Sequence, residues 1–467
     1  MKKNWLNKAV LVLWALAAAH MGLAQQVNNF SVKQSVDYGT KNAIQVKNAL
    51  LDVRVQEQLN KEITSAAFPQ VSGSIATNYF PAIPVQTLPD FISPSVYQVL
   101  VDQGVKDGSG NTIQFPAGGF GSIPARFGTK YTASGGIDVS QLLFDGQVFI
   151  GLQARKAGLE FYRKNVEVTQ EQIKANIYKV YYQLVVGKKQ LESFDANIER
   201  LNKLLHDVSE LYKNGFAEKL AIDKVTVQLN NLKTEKVKVQ NMLDAGNAGL
   251  KFLMGMPQKE TLVLTDTLSE QELKQGILEE AVGYDNRKEI QFLNIAKQLG
   301  EYNIRRYKLS YLPTVAAFGS FSKNAQRNQF NFFGKGDWFT TALIGLKISV
   351  PIYDGGNKRA KLNKAKIELE RTNNNIDQLK QLIDSDVEQA KIKMKTALVT
   401  MDNQKQNIEL AQKVYSTTKL KYEQGLGGND EVYNAFADLR VAQNNYYSAL
   451  YDAINAKIDY LKTVGKL

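Results

Sequence analysis

Between Tyr131 and Phe144 the chain alternates. Ala133, Ile137 and Val139 fall on one face and Thr132, Ser134, Asp138 and Ser140 on the other, the period-two pattern of a strand with one apolar and one wet side. Trp338–Tyr353 repeats the pattern, with Ala342, Ile344, Leu346, Ile348 and Val350 set against Thr341, Gly345, Lys347 and Ser349. The parity is the same in both, so that Ile137 corresponds to Leu346, Asp138 to Lys347 and Val139 to Ile348. Two further strands are predicted at about 69–80 and 313–321. Each follows a proline, in Phe68-Pro69 and Tyr311-Leu-Pro313, that stops a preceding helix. Those helices are predicted from Ser35 to about Ala66 and from about Gln275 to Ser310.

Each well-patterned strand runs into Asp-Gly and then a long charged segment without proline. In the first, about 146–212, Leu184, Leu191, Ile198 and Leu205 recur every seven residues; in the second, about 356–422, Met394, Met401, Ile408 and Tyr415 do the same. A seven-residue apolar period is the seam of a coiled coil, and at 1.5 Å per residue each helix is about 100 Å long. Both end in the same turn, Tyr212-Lys-Asn-Gly215 and Tyr422-Glu-Gln-Gly425. A second helix follows each turn, at about 218–254, closed by Gly255-Met-Pro257, and at about 429–460. Gly136–Gly146 and Gly345–Gly355 are thus one passage written twice, 209 positions apart, and the chain reads as an internal duplication. The predicted organisation is a leader (1–24), a first repeat (25–257), a linker with little pattern (258–275) and a second repeat (276–467). Residues 81–129, dense in proline and glycine, are expected to form a long loop, and 322–337 a shorter one.

Composition narrows the chemistry. The chain has no cysteine and two histidines, His20 and His206, which removes Cys/His zinc sites and cysteine nucleophiles. Paired carboxylates such as Asp384 and Asp386 have no His, Cys or glycine-rich loop near them in sequence to complete a catalytic site, so neither an enzyme nor a bound cofactor is expected. Met1–Ala24 has the form of a secretory signal, with Lys2, Lys3 and Lys8, an apolar run from Val10 to Ala19 and small residues at Gly22 and Ala24. Beyond it no stretch reaches the roughly 18–20 apolar residues of a membrane helix; a membrane crossing, if there is one, is made by strands. Without the three leader lysines the formal charge of +12 becomes +9. The lysines are scattered among acids along the helices, as in Asp384–Lys395, which reads as solvated helix faces and argues against a nucleic-acid partner.

Four strands are too few for a closed barrel, and an open sheet edge in lipid leaves backbone groups unsatisfied. Copies must therefore associate: two would reach the smallest known barrels of about eight strands and three a wider, water-filled one. The rival reading, a periplasmic coiled-coil adaptor or adhesin without a pore, accounts for the heptads but not for the shared parity of the strands.

The two helix–Pro–strand junctions (Ala67-Phe-Pro-Gln-Val71 and Tyr311-Leu-Pro-Thr-Val315), the two strand–Asp-Gly–helix junctions and the two Tyr-x-x-Gly turns follow in order along nearly the whole mature chain. With Leu253-Met-Gly-Met-Pro257 and Asn286-Arg-Lys-Glu-Ile290 they resemble the TolC-type outer-membrane efflux proteins of Gram-negative bacteria. That resemblance implies a mainly α protein with a membrane β-barrel: four strands per chain, a homotrimer closing a 12-stranded barrel in outer-membrane lipid, and long coiled-coil helices forming a periplasmic tunnel. It implies as partners a periplasmic adaptor protein and a proton-driven or ATP-driven inner-membrane pump, and as function passive export of drugs, small molecules or polypeptides.

The family gates its tunnel at the helix tips, where acidic rings form. By position Glu431, with Asp430 beside it, stands where the family has an acid, whereas Asn434 replaces a second one; in the first copy Ala221 is equivalent to Glu431, with Asp223 two residues on. A carboxylate ring attracts cations and selects. Asp430 and Glu431 equally suit an N-cap and first turn of the last helix. Tyr212 and Tyr422 are candidates for holding the closed tip. Gly215 and Gly425 are candidate adaptor contacts, although backbone geometry alone accounts for them. Asp138 and Lys347 are expected to face the barrel lumen, with a possible pairing across neighbouring strands.

Overall fold

The computed structural model describes residues 27–267, 270–274, 283–334 and 336–467. The leader reading (1–24) and the start of the helix predicted from Gln275 lie outside them. In chain order the elements are β1 Val27–Phe30, α1 Val32–Asn42, α2 Ile44–Ser65, β2 Gln70–Tyr79, β3 Val85–Pro89, α3 Ile92–Asp102, β4 Ser122–Arg126, β5 Tyr131–Phe144, α4 Gly146–Lys213, α5 Lys219–Met254, β6 Thr261–Leu264, α6 Glu270–Lys274, α7 Lys288–Leu309, β7 Thr314–Arg327, β8 Phe339–Ser349, α8 Asn357–Glu423 and α9 Asn429–Thr463. Two compact units arise: one from residues up to Leu59 with Ala154–Ile304 and Asn363–Leu467, the other from Asn60–Gln153 and Arg305–Leu362.

The second unit is built on an antiparallel sheet of order β2-β5-β7-β8. Facing residues on antiparallel strands share a side, so the register fixes two faces. Val71, Val139, Gly319 and Ile344 lie in one row, Gly73, Ile137, Phe321 and Ala342 in the next. This face is apolar and open: Ile75 is 94% and Ile344 90% exposed, and Leu346, Ile348, Val350 and Ile352 continue the row in the open. The other face carries Ser72, Asp138 and Ser320 in one row and pairs Lys347 with Ala316. Asp138 and Lys347 thus share the polar face, but β7 lies between their strands, so the expected pairing does not form within one chain. Among the described residues β2 and β8 are both left with an unpaired edge.

Aromatic rings mark both ends of the apolar face. Tyr79 stacks on Tyr131, which meets Phe330, which in turn meets Phe332 and Phe333; at the helix end stand Tyr311 and the contacting pair Phe144 and Phe149. From Val315 to Arg327 a strand rises about 40 Å, or about 30 Å at a tilt near 40°, which matches the apolar band and aromatic girdles of a membrane barrel strand.

The duplicated Asp-Gly junction has a common physical cause. Asp145 Oδ1 accepts from the Gln147 and Val148 amides at 2.7 and 3.3 Å, and Asp354 accepts from Gly356 and Lys358 at 3.1 and 3.0 Å. Each aspartate caps the first free N–H groups of its long helix. The glycines differ in purpose: a Cβ on Gly146 would come within 2.7 Å of Leu309, whereas Gly355 turns the chain at φ +65° in open space.

Sequence and structure part company in the connections. The expected loop 81–129 contains the β3–β4 hairpin and α3, whose Tyr97 packs on Phe115 and Phe120. β7 runs six residues beyond the predicted Phe321, because β5 is long enough to pair with it as far as Arg327. The patternless linker holds β6, which pairs in parallel with β1, and α6. Four residues are too short to display periodicity, and these strands are recognisable only from their pairing. Tyr181 closes this arrangement, donating to Phe30 O at 3.0 Å and accepting from Asp266 N at 3.2 Å.

The long helices of the first unit pack along their heptads. Met394, Met401 and Tyr415 of α8 are buried, and in α4 a buried row of Phe194, Leu201 and Val208 stands three residues after the half-buried Leu191, Ile198 and Leu205. The two rows are the paired seam positions of one heptad.

Candidate functional site: the helix tips

Both hairpin turns use a left-handed glycine. Gly215 (φ +77°) and Gly425 (φ +74°) follow their helices; Phe216 N–H donates to Leu211 O at 2.8 Å and Leu426 N–H to Lys421 O at 2.9 Å, the long bond of a Schellman cap. No atom would lie within 4 Å of a Cβ on either glycine, so backbone conformation alone requires them. Phe216 (81%) and Leu426 (76%) project into solvent.

Below the turns the four helices share one core. Leu201, Leu204 and Val208 of α4, Val225, Leu229 and Leu232 of α5, Tyr415 of α8 and Val432, Phe436 and Leu439 of α9 are mutually packed. Two polar links join α5 to α9 at its end. Lys224 Nζ reaches Asp430 Oδ1 at 2.7 Å between exposed side chains, a pair worth at most about 1 kcal/mol. Tyr433 donates its hydroxyl hydrogen to Ala221 O at 2.8 Å and accepts from Asn429 Nδ2 at 3.1 Å. Burial pushes the Tyr433 phenol up to about 12, against the opposing effect of the Asn429 bond, so it remains a donor at every physiological pH.

The residues singled out from sequence divide. Asp430, Glu431, Asn434 and Asp223 are exposed at the tip. The N-cap of α9 is Gly428, not Asp430 or Glu431, which occupy its first turn; the extended Gly428 backbone already starts the helix, so neither acid serves as its cap, and Asp430 pairs with Lys224 instead. Tyr422 is half-buried against the tip core, and burial, then the charge of Asp207, raises its phenol. Tyr212 is 44% exposed. Tyr433 and its carbonyl partner were not singled out; comparing the copies two residues beyond the Ala221/Glu431 position would have exposed Asp223 against Tyr433 as a further asymmetry. Among the described residues no group of three His, Cys, Asp or Glu side chains is placed to hold a metal ion.

An amphipathic four-stranded sheet with open edges, joined in one chain to two coiled-coil hairpins, defines a channel-forming protein of the outer-membrane type. Residues 284–465 match the outer membrane efflux protein family. Outer membrane protein TolC of Vibrio cholerae is 19% identical over 72% of this chain and 77% of its own length, and outer membrane efflux protein BepC of Brucella suis 23% identical over 74% and 75%. Among solved structures, CusC superposes with a TM-score of 0.71 at 16% identity, covering 93% of this chain and 92% of its own, and the MtrE channel of Neisseria gonorrhoeae with 0.67 at 13%, covering 93% and 88%. The match to the family lies in the second half of the chain, while the similarity to TolC and BepC extends over about three quarters of it.

Proposed function

We propose that this protein is the outer-membrane conduit of a tripartite export system, a passive channel for small molecules or polypeptides with its helical part in the periplasm. The observation that carries the reading is the sheet: an exposed apolar face, a polar face and two unpaired edges are unstable alone in lipid and complete when copies close a barrel. Three copies give twelve strands, with Asp138 and Lys347 in the lumen.

The helices support association as well. On α8, Ile367, Ile392, Val399, Leu410 and Val414 are each more than half exposed and fall within about 60° at 100° per residue; on α5, Leu220, Val227, Met242 and Phe252 fall within about 80°, again more than half exposed. These stripes are the seams between copies. The periplasmic adaptor docks at the turns around Gly215 and Gly425, where Phe216 and Leu426 are open, and an inner-membrane pump supplies the cargo. Glu431 and Asp430, with Tyr422 and Tyr212 behind them, constrict the tip; Asn434 and Asp223 line it.

Membrane extracts run on gels with and without heating test the assembly. A channel fractionates with the outer membrane and migrates unheated as a single species near three times the chain mass. A monomer in the soluble fraction would favour the coiled-coil adaptor or adhesin. For the gate, Glu431→Ala should weaken block by divalent cations in planar bilayers, and unchanged block would remove the ring.

A further inference from the structure

The net positive charge reads as dispersed along the sequence, yet the fold gathers part of it at one level. In the sheet-bearing unit, the last turn of α7 carries Arg305, Arg306 and Lys308, and the first turns of α8 carry Lys358, Arg359 and Lys361. Two acids stand beside them: Asp145 and Asp354 both accept from helix amides, and Asp354 also lies 3.9 Å from Lys358, so the six cations outnumber the two carboxylates and the cluster stays net positive. Arg306 lies over the Tyr307 ring at 4.9 Å and Lys358 sits 5.9 Å from the centre of the Tyr311 ring. Lys308, Arg359 and Lys361 are exposed and form no ion pair among the described residues.

This band lies where the apolar face ends. Ile348, Val350 and Ile352 lead to Tyr353, which is 89% exposed, and the basic helix ends follow at once. Apolar row, aromatic ring and cation is the order of depth across a membrane interface, where cationic stems reach along apolar surface and place their charge among headgroups. We propose that this collar binds the anionic phospholipid headgroups of the membrane leaflet facing the helices, and so fixes how deep the sheet sits. The proposal rests on the reading of the sheet as membrane-spanning. Phosphate is the complementary chemistry, since a juxtamembrane cluster gains attraction from each cation within a Debye length of the surface.

The test uses the full-length protein purified in non-ionic detergent and follows thermal unfolding as phosphatidylglycerol or phosphatidylcholine is added. Phosphatidylglycerol should raise the midpoint and phosphatidylcholine should not, and about 0.5 M salt should abolish most of the difference. A Lys308→Gln/Arg359→Gln/Lys361→Gln variant should need about tenfold more phosphatidylglycerol or beyond for the same shift, whereas a Lys203→Gln/Lys219→Gln/Lys233→Gln control on α4 and α5 should behave as wild type. Equal response to the two lipids, a salt-insensitive shift, a wild-type curve for the collar variant or an equal loss in the control would each overturn the proposal. If the collar variant does not fold, the lipid and salt arms on the wild-type protein decide it. Heat-dependent migration of the same sample separates the two readings: a stable oligomer without lipid preference refutes the collar alone, and no oligomer refutes the channel.

Discussion

Replacing Tyr433 by Phe removes one hydroxyl at the tip and with it two hydrogen bonds. The substitution keeps the ring in the tip core and removes the hydroxyl that reaches Ala221 O on α5 at 2.8 Å. Asn429 Nδ2 loses its acceptor at the same time. A buried bond to a carbonyl contributes about 1 kcal/mol, and leaving the carbonyl unpaired costs about 1–3 kcal/mol. If the tip opens by separating α9 from α5, and three copies open together, the closed state loses about 3 kcal/mol, a shift of roughly a hundredfold in the ratio of open to closed. Single-channel recording in planar bilayers measures that ratio, and thermal unfolding of the same preparation measures stability. The expected result is longer and more frequent opening with a Tm lowered by no more than a few degrees. A wild-type open probability alongside a lowered Tm would show that the bond serves folding only and refute its role in gating.

The same phenol sets an alkaline expectation. Its folded pKa is raised to about 12, so the bond it donates is intact below about 10 and is lost as pH rises towards 12; if that bond holds the tip closed, wild-type conductance should climb across that window and Tyr433→Phe should not. Glu270 runs the other way. Its bonds to Lys405 Nζ (2.7 Å) and Tyr446 OH (2.6 Å) hold its pKa below the usual carboxylate value, so the tie from α6 to α8 and α9 is present at neutral pH and lost as pH falls through the folded value. Glu270→Gln should flatten the acid side of the Tm curve by the share this tie contributes, the carboxylates of Glu167 and Glu289 supplying further acid dependence, and cost about 1 kcal/mol at neutral pH. Ile344→Arg, at a position 90% exposed on the apolar face, should cost about 2–4 kcal/mol in the bilayer and deplete the heat-modifiable oligomer; retention of wild-type levels would contradict the lipid-facing assignment. Gly425→Ala, at φ +74° in open space, should destabilise by about 1 kcal/mol through the backbone alone, read as a small drop in Tm.

What was legible in the chain follows the length over which physics repeats itself. β5 and the two longest helices announce themselves because alternation from Thr132 to Ser140, or heptads such as that from Leu184 to Leu205, give many independent votes for one period. The Asp-Gly junctions were legible because capping demands a particular side chain at a particular place. β1 and β6 offer four residues each, and the strand with which each pairs lies more than two hundred positions away. The tip illustrates a second reason. Its acids could be carried over from a resemblance, but the link between hairpins joins a phenol to a backbone carbonyl, and a carbonyl has no letter in a sequence. What setting the two halves side by side does supply is a short list: positions where they differ, as at Asp223 and Tyr433 or at Asp138 and Lys347, are the ones to mutate first.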